Sequence, residues 1–353
     1  MPEPEPAESP TGPRVVVLGA GAVGAHIGAL LALGGTNTTL IGRPRVLEPM
    51  AAGVTIRRPD GSVVVGRPKI VVGVDEAGTF DVVLLTVKAY SVQASLDAIS
   101  QLLSKEGRIL AFQNGVGSDR MLLDRFGRER IIASTSTISV GIEEPGTVTQ
   151  YTNGGLAWAP YGAVDSRVSE LLLSTGLPVA VPATPASLRW SKLLLNAVGS
   201  AQCAILGTNL DRIVADSRLF RVEKLAFAER TALLKAAGIK PVDLPGYRVR
   251  LAAMAMKLPT PIARTLVGGR MRSGRGGKAP TLRADVERGG PTENRFLNGA
   301  TVDLGKETGV ATPVNAMLTQ LVDQVTESPE LRARFRDNPE ALLEQLRASG
   351  VRV

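Results

Sequence analysis

The chain has 353 residues, long enough for two domains with separate cores. Hydrophobic residues make up 44% and charged residues 21%, with a net charge of +8, an ordinary balance for a soluble globular protein, and no apolar run reaches the ~18 residues of a membrane span. One cysteine, Cys203, excludes an internal disulfide framework and a cysteine-rich metal site, and one histidine, His26, excludes a histidine proton relay or a multi-histidine metal centre.

Met1 to Pro13 is rich in Pro and Glu, without a basic region followed by an apolar one, and reads as a disordered tail and not a signal peptide. The first ordered stretch is Val15-Val-Val-Leu-Gly-Ala-Gly-Ala-Val-Gly24. A β-branched run ends in Gly19, Gly21 and Gly24, and a helical pattern follows from His26 to Leu33. Strand, tight turn and helix in this order suit a dinucleotide pyrophosphate. The first glycine permits the turn, the second lets the backbone approach the phosphates, and the third lets helix and strand pack. The plain alternative is a glycine-rich turn that binds nothing.

A second strand, Thr38 to Ile41, leads to Gly42-Arg43-Pro44-Arg45. An acid commonly stands at this point, about 20 residues past the glycines, to hold the ribose 2′-hydroxyl. Arg43 stands there instead. A guanidinium holds a 2′-phosphate where a carboxylate would repel it, so the expected cofactor is NADP(H). Val54–Arg57 and Val63–Val65 flank a turn sequence and predict a hairpin.

Asp81 to Lys88 and Arg108 to Gln113 read as buried strands, the second ending in Asn114-Gly-Val-Gly117. In doubly wound sheets ligands sit beyond the carboxyl ends of strands, so Lys88 and Asn114 are aimed at the crevice. Lys88 suits an anion, and Asn114 a substrate or the nicotinamide ribose. Either could instead be an ordinary strand-end or turn residue. Arg130 to Gly141, Val148 to Tyr151 and Gly155 to Ala159 are β-rich, and Ser166 to Ser174 is helical. Two prolines, Pro182 and Pro185, mark a domain boundary.

Beyond Pro185 the pattern turns helical. Ser187 to about Ala204 predicts one helix, apolar on most sides, with Lys192 and Asn196 one turn apart on a polar stripe. A lysine on a mostly buried helix needs an anionic partner or a cavity, and burial moves its pKa toward the range useful for proton transfer. The alternative is an amine that reaches water at the helix edge. Asp211 to Ala237 predicts a further helical stretch, closed by Gly238, and Tyr247 to Met256 continues the helical pattern. Gly268 to Lys278 reads as a basic, Gly-rich loop, solvated and not a nucleic-acid site, since no aromatic residues are interleaved with the charge. Helical patterns return at Pro280–Val286, Thr292–Leu304 and Pro313–Val325, and the tail to Val353 holds two short amphipathic patterns.

With these residues in view, the chain resembles the ketopantoate reductase (2-dehydropantoate 2-reductase) family over about Arg14 to Val325. The matching pieces are Gly19-Ala-Gly-Ala-Val-Gly24, Thr86-Val-Lys88, Gln113-Asn-Gly-Val-Gly117, Trp190-Ser-Lys192 with Asn196, and Thr292-Glu293 with Leu297-Asn-Gly299. The resemblance implies an α/β Rossmann-type dinucleotide-binding domain (14–183) followed by an all-α C-terminal domain (184–328), with 1–13 and 329–353 as tails. It implies NADPH-dependent reduction of a 2-oxo acid, with the site in the cleft between the domains.

Carried over by position, Lys192 is the general acid and Glu293 binds the substrate's hydroxyl end. Asn114 and Asn196 orient substrate and amine, and Lys88 lies on the cofactor and substrate side. Gly19, Gly21, Ala22, Val23, Gly24 and Arg43 hold the cofactor. Two departures stand out. Thr281 replaces the family's carboxylate-contacting Ser, and Asn294-Arg295 replaces an aliphatic residue and Asp. The expected partners are a small 2-oxo acid and, by family analogy, a second copy in a homodimer. No nucleic acid, membrane or metal is expected, and the expected location is cytoplasmic.

Overall fold

The structure is a computed structural model and describes residues 12–273 and 279–353. The expected disordered tail therefore lies, up to residue 11, outside the described residues.

The first half alternates strands and helices. They run β1 (Val15–Leu18), α1 (Ala22–Leu33), β2 (Thr38–Gly42), α2 (Pro44–Leu47), β3 (Val54–Arg57), β4 (Val63–Gly66), β5 (Lys69–Val72), β6 (Phe80–Leu85), α3 (Val92–Leu102), β7 (Leu103–Ala111), α4 (Asp119–Phe126), β8 (Ile131–Ser136), β9 (Val140–Glu144), β10 (Thr147–Gln150), β11 (Leu156–Pro160), α5 (Ser166–Leu173) and β12 (Val179–Ala180). Eight strands form the main sheet in the order β12-β11-β8-β7-β6-β1-β2-β5. All its pairs are parallel except β8 with β11. β1 has β2 on one side and β6 on the other, so the direction of winding reverses there. A crevice opens at such a switch point, beyond the carboxyl ends of the strands.

A second sheet of four strands, β4-β3-β10-β9, covers the outer face of α1. This explains the composition of α1. The helix lies between two sheets, so it is apolar on nearly every side and Gly24 to Leu31 are all buried. His26 is one of these, 1% exposed, with Nε2 at 3.2 Å from Gln150 Oε1 on β10. Its role is packing.

The second half is helical: α6 (Pro185–Asn196), α7 (Ser200–Leu206), α8 (Leu210–Ala215), α9 (Ser217–Ala236), α10 (Val249–Ala255), α11 (Thr260–Ser273), α12 (Thr281–Arg288), α13 (Asn298–Thr308), α14 (Pro313–Glu327), α15 (Pro329–Phe335) and α16 (Pro339–Ala348). The start of α6 is written locally. Thr184 Oγ1 accepts the Ser187 N–H at 3.1 Å, and Pro185 supplies a preset φ at the first position. α6 lies across β8 and β11, where Ala133, Ala157 and Ala159 let it approach and join the helical core to the sheet.

Two expectations, a helix and a loop, are corrected, and one helical stretch is subdivided. The helix expected over 187–204 breaks at Gly199, which adopts φ +67° and separates α6 from α7. The helical stretch expected over 211–237 is divided at Asp216, whose carboxylate caps α9 through the Arg218 N–H at 2.9 Å. The loop expected over 268–278 is helical as far as Ser273, and residues 274–278 lie outside the described residues. Glycine lowers helix propensity, but α11 packs on α8 and α9 with Gly268 against Val214, and that packing outweighs it. No helix among the described residues is long and apolar enough to cross a membrane.

Candidate active site

The glycine turn is built from both ends. Gly19 takes φ +114°, and Thr86 Oγ1, just past β6, donates to its carbonyl at 2.7 Å. Any side chain at Gly24 would strike that same carbonyl and the Thr86 hydroxyl, so the third glycine is required for close packing. Gly21 is different, because a Cβ built on it meets nothing within 4 Å. It is also the N-cap of α1, and no side chain caps that helix. The first-turn amides at Ala22 and Val23 therefore face open space beside an uncapped positive helix end, which fits a pyrophosphate. Arg43 follows β2, caps the start of α2 and is exposed, so its cation is available at that side of the turn.

Lys88 stands where the chain leaves β6, and its amine bridges to the helical half. Nζ lies 3.1 Å from Asp285 Oδ2 on α12 and 3.2 Å from Glu293 Oε2. The second oxygen of Glu293 accepts the Ala89 N–H at 3.2 Å. Both carboxylates are almost fully buried, at 2% and 3% exposure. Burial works against the charge on Lys88, but Glu293 and Asp285 together outweigh it and hold the amine above the ordinary lysine range. Arg288 adds a second cation on Asp285. Asp285 was not singled out from the sequence. The available signal was its spacing of four from Thr281, which puts both on one side of α12.

Asn114 follows β7. Its Oδ1 accepts from Asn196 Nδ2 at 2.8 Å, which joins the sheet edge to α6. Gly115 is needed beside it. It takes φ +85°, and a side chain would collide with the Phe296 carbonyl, whose oxygen accepts the Val116 N–H at 2.8 Å. The Asn-Gly turn is thus docked on the segment that carries Glu293. The Asn196 carbonyl also accepts the Ser200 hydroxyl across the α6–α7 break. Lys192 is half-buried on α6, one turn before Asn196. Lys88 with Glu293 and Asn114 with Asn196 therefore each pair the strand-rich half with the helical half.

Sequence reading missed the buried ion pair that docks α6. Arg189 Nε and Nη2 donate to Asp119 at 2.8 and 2.6 Å, and its remaining donors reach the carbonyls of Ala111, Gln113 and Ser134. Tyr161 donates its hydroxyl to the same carboxylate at 2.8 Å, and burial beside that negative charge raises the Tyr161 pKa. The signal was an arginine flanked by the apolar Leu188 and Trp190 on a mostly buried helix.

The two departures from the family pattern fall differently. Thr281 is the exposed first residue of α12, one turn before Asp285. Asn294 is buried and turned toward α14, where it donates to Thr319 O at 2.9 Å and Asp323 Oδ1 at 2.8 Å. Arg295 is exposed. No group of three or more metal-ligating side chains occurs among the described residues.

Comparison with known proteins matches two family profiles. One, described as ketopantoate reductase PanE/ApbA, covers residues 15–163, and the other, its C-terminal counterpart, covers 186–326. Among curated proteins, the 2-dehydropantoate 2-reductase of Halobacterium salinarum is 28% identical over 318 residues, 88% of this chain and 97% of that protein. That of Archaeoglobus fulgidus is 26% identical, over 88% and 96%. Among solved structures, a PanE/ApbA family ketopantoate reductase from Ralstonia eutropha superposes with a TM-score of 0.75 at 25% identity, covering 89% of this chain and 98% of that one. A D-mandelate dehydrogenase bound to NADH and anilino(oxo)acetate gives 0.73 at 21%, over 90% and 98%, a likeness of fold.

Proposed function

The chain belongs to the ketopantoate reductase family, and on that premise we propose that it reduces a 2-oxo acid to the 2-hydroxy acid with NADPH, the substrate being 2-dehydropantoate and the product pantoate. The observation that carries this reading is the pairing across the crevice of Lys88 with Glu293 and of Asn114 with Asn196. Each pair joins a strand end of the nucleotide-binding half to the helical half.

The reduction needs a hydride near a carbonyl carbon, a proton for its oxygen, and stabilisation of the charge that builds there. The nicotinamide, when bound, supplies the hydride. The amides of Ala22 and Val23, at the turn that Gly19, Gly21 and Gly24 make possible, would hold its pyrophosphate, and Arg43 would hold the 2′-phosphate. With His26 buried in packing, Lys192 is the group that stabilises the alkoxide and gives it a proton. Asn196, one turn on and bonded to Asn114, fixes the direction of the amine and the substrate carbonyl. Glu293 holds the substrate's hydroxyl end, with Lys88 setting the charge of that carboxylate's surroundings. Thr281 lends a hydroxyl to the substrate carboxylate.

The test is NADPH consumption by the purified protein with 2-dehydropantoate and a panel of other 2-oxo acids. Turnover is expected, with 2-dehydropantoate preferred. A preference for another acid would overturn the substrate only, and no oxidation with any of them would overturn the reductase reading.

A further inference from the structure

Away from the residues of the proposed site, a cavity of about 760 Å³ lies between α6, α9, α10 and α11. None of Lys88, Asn114, Lys192, Asn196, Thr281 or Glu293 lines it. α6 is shared. Leu194 on α6 and Val198 just past its end form part of the cavity wall, whereas Lys192 and Asn196 occupy a different side of the helix from Leu194. The wall is completed by Phe227, Met256 and Met271, which leaves the interior apolar and deformable.

Two further observations bear on what the cavity takes. First, part of its lining is apolar and exposed. Leu251 and Leu266 line it while 48% and 53% exposed, and Met254 and Ile262, on the same two helices, are 65% and 50% exposed. Large aliphatic side chains concentrated in one exposed area mark a binding region. Second, the charges of the lining are Arg248, Arg270 and Asp243. Asp243 is already engaged by Arg250, at 3.1 Å and through the Arg250 N–H at 3.0 Å. Between Leu244 and Ala284 the sequence has nine Lys and Arg and no Asp or Glu. The lining therefore carries two exposed guanidiniums beside an apolar interior.

We propose that this cavity binds an anionic amphiphile, with a single acyl chain in the apolar interior and its carboxylate on Arg248 and Arg270. A pocket of this size, mostly apolar with a few convergent polar groups, is the usual form of a small-molecule site. Guanidiniums match a carboxylate in geometry as well as charge. The proposal is independent of the reductase reading, because the ligand is held away from the crevice and the test reads binding instead of turnover.

The test is calorimetric titration of the full chain with octanoate, decanoate and dodecanoate below their micelle concentrations, beside decanol and vesicles of anionic phospholipid. Saturable binding at one site is expected, tightening about 3-fold to 4-fold for each methylene the cavity takes. Decanol should bind about 10-fold or more weakly than decanoate. Ala252→Trp, which fills the cavity, should abolish binding while NADPH-dependent turnover and the melting temperature stay close to wild type. Leu266→Trp serves if that variant does not fold. Arg248→Gln with Arg270→Gln should remove the preference for the acid and leave decanol binding unchanged. Binding that survives both cavity-filling variants, equal affinity for acid and alcohol, or binding to vesicles without binding of the monomeric acids would overturn the proposal.

Discussion

The guanidinium of Arg189 and the carboxylate of Asp119 form a two-point ion pair, both groups about 95% removed from solvent, at the place where α6 crosses the end of the main sheet. Asp119 lies five residues past Asn114, and Arg189 lies three residues before Lys192. One buried contact thus ties together the two segments whose side chains form the proposed site.

Removing either partner leaves the other charge buried without compensation. Arg189→Met or Asp119→Leu should each cost about 3–5 kcal/mol in urea unfolding, while the double variant should recover part of that loss. Equal losses in the single and double variants would mean that the pair is not coupled.

Lys192→Ala should lower kcat by about 10² or more with little change in NADPH affinity, the scale of a lost general acid. Asn196→Ala should lower kcat less, since the amine remains but its orientation loosens. A Lys192→Ala enzyme with wild-type turnover would exclude the amine from proton transfer.

Lys88→Met removes the cation between Asp285 and Glu293, and kcat/KM for the 2-oxo acid should fall by about 10-fold to 10². The amine is held above its ordinary value of 10.5, so its charge is fully present below that pH and is lost only as pH rises past the raised value. The loss in the variant should therefore be the same at pH 6 and pH 9, which steady-state assays at the two values would check.

Arg43→Ala should raise the KM for NADPH by about 10-fold and leave that for NADH unchanged, because only the 2′-phosphate loses its partner. Equal changes with both cofactors would point to a general structural effect.

The buried His26 gives a stability prediction with a definite sign. Burial, partly opposed by the hydrogen bond to Gln150, lowers its pKa from 6.5 to about 4. The unfolded chain therefore binds more protons between these values, and stability falls as pH drops through that window. Its contribution to the loss between pH 7 and pH 5 is about 2 kcal/mol, and His26→Gln should flatten the pH dependence by that amount. Urea midpoints of both proteins at the two pH values supply the comparison.

Local spacing in the sequence was enough for the strand, glycine turn and first helix, the β-rich first half, the helical second half and the family motifs, because each is a pattern over neighbouring residues. It did not reveal β5, α3 or α4, and it ran α6 into α7 and α8 into α9, since periodicity continues across a single Gly199 or Asp216 that turns the chain. The joining of Lys88 to Asp285 spans 197 positions, and that of Arg189 to Asp119 spans 70. Such pairs exist only once helices dock on a sheet, because docking removes the water that would otherwise solvate each charge and leaves the opposite charge as its partner. For the same reason the helical state of Gly268 to Ser273, and the cavity beneath α11, belong to the packing of α8, α9 and α11 and not to any local signal.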